Sequence, residues 1–161
     1  MKATIGYPVD EPEKQHIEVV VDNYDIWDAA FTIATIAVPL LRQLKTAKQG
    51  APYVDDEDVP EELRSTSAAP KENEWDTDNL WFLRWDYVLD EMVYALSESA
   101  NNRAGEDAFY KYADDFIESD DMPFEDYMNK IQFDAEGYNK YYKRVQNGCR
   151  LFGKYFQALW S

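Results

Sequence analysis

The stretch Asp25-Ile26-Trp27-Asp28-Ala29-Ala30-Phe31-Thr32-Ile33-Ala34-Thr35-Ile36-Ala37-Val38-Pro39-Leu40-Leu41, continued by Arg42-Gln43-Leu44-Lys45-Thr46-Ala47-Lys48, decides the fold. Trp27, Phe31, Ala34, Val38 and Leu41 recur at helical spacing, and Ile26, Ala30, Ile33, Ala37, Leu40 and Leu44 form a second stripe beside them. The spacing predicts a helix starting near Asp25 or Asp28 and running to about Lys48, with Gly50 as its stop. Two apolar stripes leave little polar face, which places this helix in the middle of the core. Pro39 removes one backbone bond inside it and predicts a kink. The apolar run Ala29–Leu41 is too short to cross a bilayer and suits a core helix.

Working outward, a second helix is predicted from about Asp78 to Ser99, capped by Thr77 or Asp76, with Trp81, Trp85, Val88, Met92 and Leu96 on its apolar side. The last helix is capped by Asp134. Its stripe is Tyr138, Tyr141, Tyr142, Val145, Cys149, Phe152, Tyr155, Phe156 and Leu159. Residues 106–118 predict a weaker helix, and 124–133 fit neither helical nor strand periodicity. Ile17–Val21 is short and β-branched, a strand or extended lead-in with no obvious partner, after a loose polar arm over 1–16. Residues 50–79, punctuated by Gly50, Pro52, Pro60 and Pro70, read as a long acidic loop with one turn at Glu61–Arg64. A loop of this length either wraps the surface on Tyr53, Val54, Leu63 and Trp75 or is functional. The expected fold is mainly α: a single domain over 1–161, a compact antiparallel bundle of three to four helices with a long acidic loop and room for one short β element near the N-terminus.

The chain carries a formal net charge of −16, unevenly spread. Residues 51–80 and residues 101–136 each sum to −8, whereas 137–161 sum to +5 and 25–50 to +1. Such a field repels nucleic acid and anionic membrane and favours partners with a basic surface. The lone Cys149 gives neither an intrachain disulfide nor a cysteine metal site, and a reducing compartment fits. Met1–Pro12 has no basic or apolar signal region, so no secretory signal is expected.

Four constellations are candidates for chemistry. Gly148-Cys149-Arg150-Leu151-Phe152-Gly153-Lys154 matches seven places of a P-loop, but Tyr155 stands where Mg²⁺ needs Ser or Thr. The match also lies inside a predicted helix, so Gly148 and Gly153 are better read as places where another helix comes close. His16, the one histidine, sits in the polar arm. Asp55, Asp56, Glu57 and Asp58, with Glu61 and Glu62, form the densest acidic run. It is read as a docking patch for lysine and arginine; an EF-hand would need Gly where Glu61 stands and Glu where Ser67 stands. Asp86 and Asp90 lie one turn apart and are a weak Mg²⁺ candidate. Otherwise they bond Arg or Tyr groups at a helix contact.

Three segments, Gln49–Pro60 (QGAPYVDDEDVP), Arg84–Met92 (RWDYVLDEM) and Asn147–Tyr155 (NGCRLFGKY), together resemble a family of small hypothetical proteins of tailed bacteriophages, T4-like and marine phages included. The resemblance covers about residues 23–100 and 134–160. Residues 101–133 depart from the longer insert associated with the family. It implies a viral origin and the cytoplasm of an infected bacterial host, and carries over no catalytic residue. Three function classes follow. The first is an accessory protein that binds a host or defence protein through its acidic surface, in the extreme as a DNA mimic, without cofactor. The second is a nucleotide binder or sponge that stacks a base on Trp81, Trp85, Tyr138 and Tyr142 and holds phosphate with Lys143 and Arg144. The third is a Mg²⁺-dependent nucleotide hydrolase using Asp86, Asp90 and the 55–58 run. A structural virion role is a fourth.

Overall fold

A computed structural model describes residues 2–6, 16–112, 123, 125 and 130–160. Strands β1 (Lys2–Gly6) and β2 (His16–Val20) come first, then helices α1 (Asn23–Trp27), α2 (Ala29–Ala47) and α3 (Trp81–Ala100). Short strands β3 (Tyr110–Tyr112) and β4 (Ile131–Phe133) precede α4 (Ala135–Lys154). The architecture is mainly helical, as expected. The β-branched segment does have a partner: it pairs antiparallel with β1, from Lys2 opposite Val20 to Gly6 opposite His16. The predicted helix over 106–118 is absent where described. Ala104–Phe109 is a 3₁₀ segment and Tyr110–Tyr112 pairs antiparallel with Ile131–Phe133; residues 113–118 lie outside the described residues.

The first predicted helix is two helices, because two aspartates cap within six residues. The Asp22 carboxylate accepts from the Tyr24 and Asp25 amides at 2.8 and 3.3 Å, and the Asp25 carboxylate accepts from the Asp22 amide at 2.8 Å. This closed capping box starts α1. Asp28 then leaves helical geometry (φ −129°, ψ 80°) and accepts from Phe31 N–H at 3.0 Å, starting α2. Helix α2 runs unbroken through Pro39 and ends at Ala47. Gly50 is not its left-handed stop, since no glycine has positive φ. A Cβ at Gly50 would instead meet the Trp160 ring at 2.9 Å, so its bareness seats that indole.

Helix α3, not α2, is the central one. Lys48–Asp86, Lys45–Asp90 and Arg42–Ser97 contacts align α2 antiparallel on one side of it. Tyr155 against Trp85 and Tyr141 on Glu98 align α4 antiparallel on the other. Trp85, Val88, Leu89, Met92 and Ala95 are completely buried, each large one contributing about 1.5–3 kcal/mol. The buried arc of α3 is wider than its apolar residues because it includes Arg84 and Glu91. Arg84 is held by Asp78 and by the Leu63 carbonyl, and Glu91 by Arg144, so both charges are satisfied. The cap expected from Asp76 or Thr77 is not made: Leu80 stands at the N-cap of α3 with no side chain capping the helix, and the Asp78 carboxylate accepts from Leu80 N–H at 2.9 Å in the turn before it.

Helix α2 buries only Ala34, Val38 and Leu41. Ile33 and Leu40 of its second stripe stay 56% and 63% exposed, and Trp27 of the first is 91% exposed. On α4 the capping by Asp134 stands, through Gly137 N–H at 2.9 Å. The buried face is turned from the predicted stripe: Gly148, Leu151 and Tyr155 face inward, while Tyr142, Cys149 and Phe156 face out. Cys149 is therefore a surface residue rather than a core one.

Candidate functional site

The loop after α2 is neither structureless nor free. Three 3₁₀ turns, Asp56–Asp58, Glu61–Leu63 and Ser65–Ser67, fold it into a strap across α3 and α4. Val54 and Val59 are its buried anchors and Leu63 is partly buried. Tyr53 and Trp75, two expected anchors, are exposed instead.

Of the acidic run at the head of this strap, Asp58 faces inward, Asp55 and Asp56 are half-buried and Glu57 is exposed. The Asp58 side chain is 1% exposed and meets three groups from α4 and its end. Lys154 Nζ lies 2.6 Å from it, Arg150 Nη2 donates at 2.6 Å, and the Tyr155 hydroxyl donates at 2.7 Å. Lys154 also pairs with Asp55 at 2.6 Å and Glu57 at 3.4 Å. The Tyr155 oxygen accepts from Asp55 N–H at 3.1 Å. Asp56 turns back on the strap and accepts from the amide and hydroxyl of Ser65 at 2.7 and 2.5 Å. Asp58 is thus the centre of a structural clasp, a buried carboxylate that persists because cations and a hydroxyl satisfy it, while Glu57 stays open to solvent.

The electrostatics agree. Burial pushes the Asp58 carboxyl up, but the bonds from Lys154, Tyr155 and Arg150 outweigh it and hold it below its ordinary value. Asp55 and then Asp58 hold the Lys154 ammonium above its ordinary range. Burial, followed by the bond to Asp58, pushes the Tyr155 phenol up to about 12 from 10.0. Because the folded value is the higher one, this stabilisation is complete below pH 10 and fades as pH climbs toward 12, an effect of about 2–3 kcal/mol. In urea titrations Tyr155→Phe is therefore expected to lose less stability than the parent between those pH values. An equal loss would mean that other tyrosines carry the alkaline transition.

Glu61 and Glu62, the remainder of the predicted patch, do face outward, as do Glu72 and Glu74 further along the strap. Elsewhere several bases are paired inside the chain. Lys45, Lys48, Arg84, Arg144, Arg150 and Lys154 all pair with carboxylates.

The aromatic and basic set predicted to hold a nucleotide is dispersed. Trp85 is buried in the core, edge-on to Tyr155 at 5.8 Å. Trp81 donates to the Ala51 carbonyl at the start of α3. Tyr138 and Tyr142 stack near the start of α4, in an aromatic cluster with Phe109 and Phe133. The antiparallel arrangement puts that cluster at the opposite end of α3 from Trp81, about 25 Å away. Arg144 forms a double bond-pair with Glu91 and lies 3.8 Å over the Tyr94 ring, and Lys143 is exposed on its own face. What the strap does form is a different cleft, of about 380 Å³, with Tyr53, Trp81, Lys71 and Arg84 among its walls.

Asp86 and Asp90 lie at a helix contact, but their partners are Lys48 and Lys45 at 2.6 Å rather than Arg or Tyr. The P-loop-like heptad is helical throughout, its amides committed to the helix. A Cβ at Gly148 would strike the Glu91 carbonyl oxygen, so Gly148 is a point of close helix approach; at Gly153 nothing lies within 4 Å, so that expectation fails there. His16 is an exposed residue of β2. The residues that sequence reasoning missed are Arg150, Lys154 and Tyr155. Their signal was a basic segment with two cations four apart, matched to the acidic run a hundred residues earlier.

Among the described residues no helix is long and apolar enough to cross a membrane. No protein-family model, curated protein or solved structure matches the chain.

Proposed function

We propose that this chain is a bacteriophage accessory protein that works in the cytoplasm of the infected host by binding a host or defence protein with a basic surface. The carrying observation is the way the strap divides its acids. Asp55 and Asp58 are held in the clasp, and that clasp anchors the segment that presents Glu61 and Glu62, without an ion pair among the described residues, to solvent. An acidic face anchored in this way favours encounter with cationic surfaces and disfavours nucleic acid and anionic lipid. The resemblance to small phage proteins supports the setting. In its extreme form the carboxylates stand in for DNA phosphates.

The test is capture of a partner from lysate of the bacterial host by tagged protein, at low and moderate salt. One stoichiometric partner is expected, released by rising salt and lost by the Glu61→Lys, Glu62→Lys, Glu72→Lys, Glu74→Lys variant. Competition by duplex DNA would mark mimicry. Capture that ignores both salt and the four reversals would overturn the reading. A second reading, a small-ligand binder, rests on the cleft that Tyr53 and Trp81 line together, their rings in tilted contact at 6.0 Å. It predicts a thermal shift with nucleotides that Trp81→Ala removes, and no shift at millimolar ligand would end it.

A further inference from the structure

The walls of the cleft under the strap are tied in place at three points. The Asp56 carboxylate accepts from the Ser65 amide and hydroxyl, Ala69 N–H donates to Asn79 Oδ1 at 3.0 Å, and Arg84 Nη1 donates to the Leu63 carbonyl at 3.0 Å. The Trp81 indole is fixed as well, since its Nε1–H donates to the Ala51 carbonyl at 3.0 Å. Tyr53 meets that indole at 57°, so the two rings form a corner, and Tyr53 is 67% exposed. A flat ring laid in the corner stacks on one of them and touches the other edge-on. The volume, about 380 Å³, suits a single small molecule.

Four charged side chains line the cleft, and three of them are already bonded. Asp78 accepts from Arg84 and from Leu80 N–H, Arg84 also reaches the Leu63 carbonyl, and Asp56 holds Ser65. Lys71 is exposed and makes no hydrogen bond or ion pair among the described residues. Burial raises the Asp78 carboxyl, whereas Arg84, the Leu80 amide and lastly Lys71 lower it, so the Lys71 ammonium stands within electrostatic reach of that end of the cleft. We propose that the cleft takes a flat aromatic molecule bearing one anionic group, a carboxylate or a single phosphate, with the ring in the Tyr53–Trp81 corner and the anion on Lys71. This rests on the small-ligand reading above and narrows it. Two acids and two bases leave the lining neutral, so one anion is matched by the one unbonded cation. A triphosphate would bring further charge, without partners, into the field of a chain of net charge −16.

Calorimetric titration of the full-length protein tests this with two sets of ligands: adenosine, adenosine monophosphate and adenosine triphosphate in one, indole and indole acetate in the other. The member with one anionic group is expected to bind tightest in its set, and the set that binds tells a phosphate ligand from a carboxylate one. Lys71→Gln is expected to weaken that member about fivefold, the worth of one contact between unit charges in water, and to leave adenosine and indole unchanged. Tyr53→Ala, at an exposed position, is expected to weaken every member with the fold intact, whereas Trp81→Ala also breaks the tie to Ala51. Equal binding of charged and uncharged members, equal binding of monophosphate and triphosphate, or an anion preference that survives Lys71→Gln overturns the proposal and leaves the small-ligand reading standing. No binding by any member at millimolar concentration overturns both.

Discussion

Gly148→Ala is expected to destabilise the protein by about 2–3 kcal/mol, although alanine is the better helix former. The new Cβ would lie against the Glu91 carbonyl oxygen and 2.5 Å from the Ala95 Cβ. The first is backbone of the central helix and cannot swing aside. Helices α3 and α4 must therefore separate, and Leu151 and Tyr155 lose their seating with them. The control is on the same helix. Gly153→Ala meets nothing within 4 Å and is expected to stabilise by about 0.5–1 kcal/mol through reduced unfolded-state freedom. Thermal unfolding reads both, at about 2–4 °C per kcal/mol for a chain of this size. Equal signs for the two substitutions would show that α4 does not approach α3 as closely as described. Gly148→Val, with a branched Cβ, should be worse than alanine.

Asp58→Ala carries the second large effect, about 2–4 kcal/mol, because it removes charge-assisted bonds from Arg150, Lys154 and Tyr155 at once. Lys154 keeps Asp55 and Glu57, and Arg150 is half exposed, so the loss stays below that of a fully buried pair. The pH profile distinguishes this carboxylate from mere packing. Its folded pKa lies below the ordinary 3.8, so its contribution is complete above that value and disappears as pH falls through the lower one. The parent should therefore lose stability in acid more steeply than Asp58→Ala. Parallel acid curves would show that Asp58 contributes volume rather than charge. Cleavage by a protease within 64–79 should rise in the variant as the strap lifts.

How far the sequence was legible depends on what each residue type can announce. The periodicity of α3 and α4 and the capping by Asp134 are local, and they were readable. The division of the first helix at Asp28 was not, because Asp22 and Asp28 are both good caps and only backbone geometry shows that both are used. The centre of the bundle was misplaced for a physical reason. A helix apolar on two stripes reads as buried, whereas Arg84 and Glu91 read as solvated, and pairing with Asp78 and Arg144 reverses the second inference. The face of α4 slipped because Gly148 has no side chain to register in an apolar stripe, yet it lies at the closest contact. The acidic run was visible as charge. That Asp58 points inward depends on Lys154 and Arg150, which sequence distance hides.

That distance has a kinetic meaning. The clasp joins Asp58 to Tyr155 across 97 positions of chain, whereas α2 and α3 meet over a much shorter loop. Closing the larger ring first would forfeit more chain entropy, so the strap is expected to dock after the three long helices have come together. Interactions absent from the folding barrier govern how fast a protein comes apart rather than how fast it forms. A weakened clasp should leave the refolding rate almost unchanged and shorten the lifetime of the native state. The acidic face would then be lost intermittently from a molecule whose helices are still assembled.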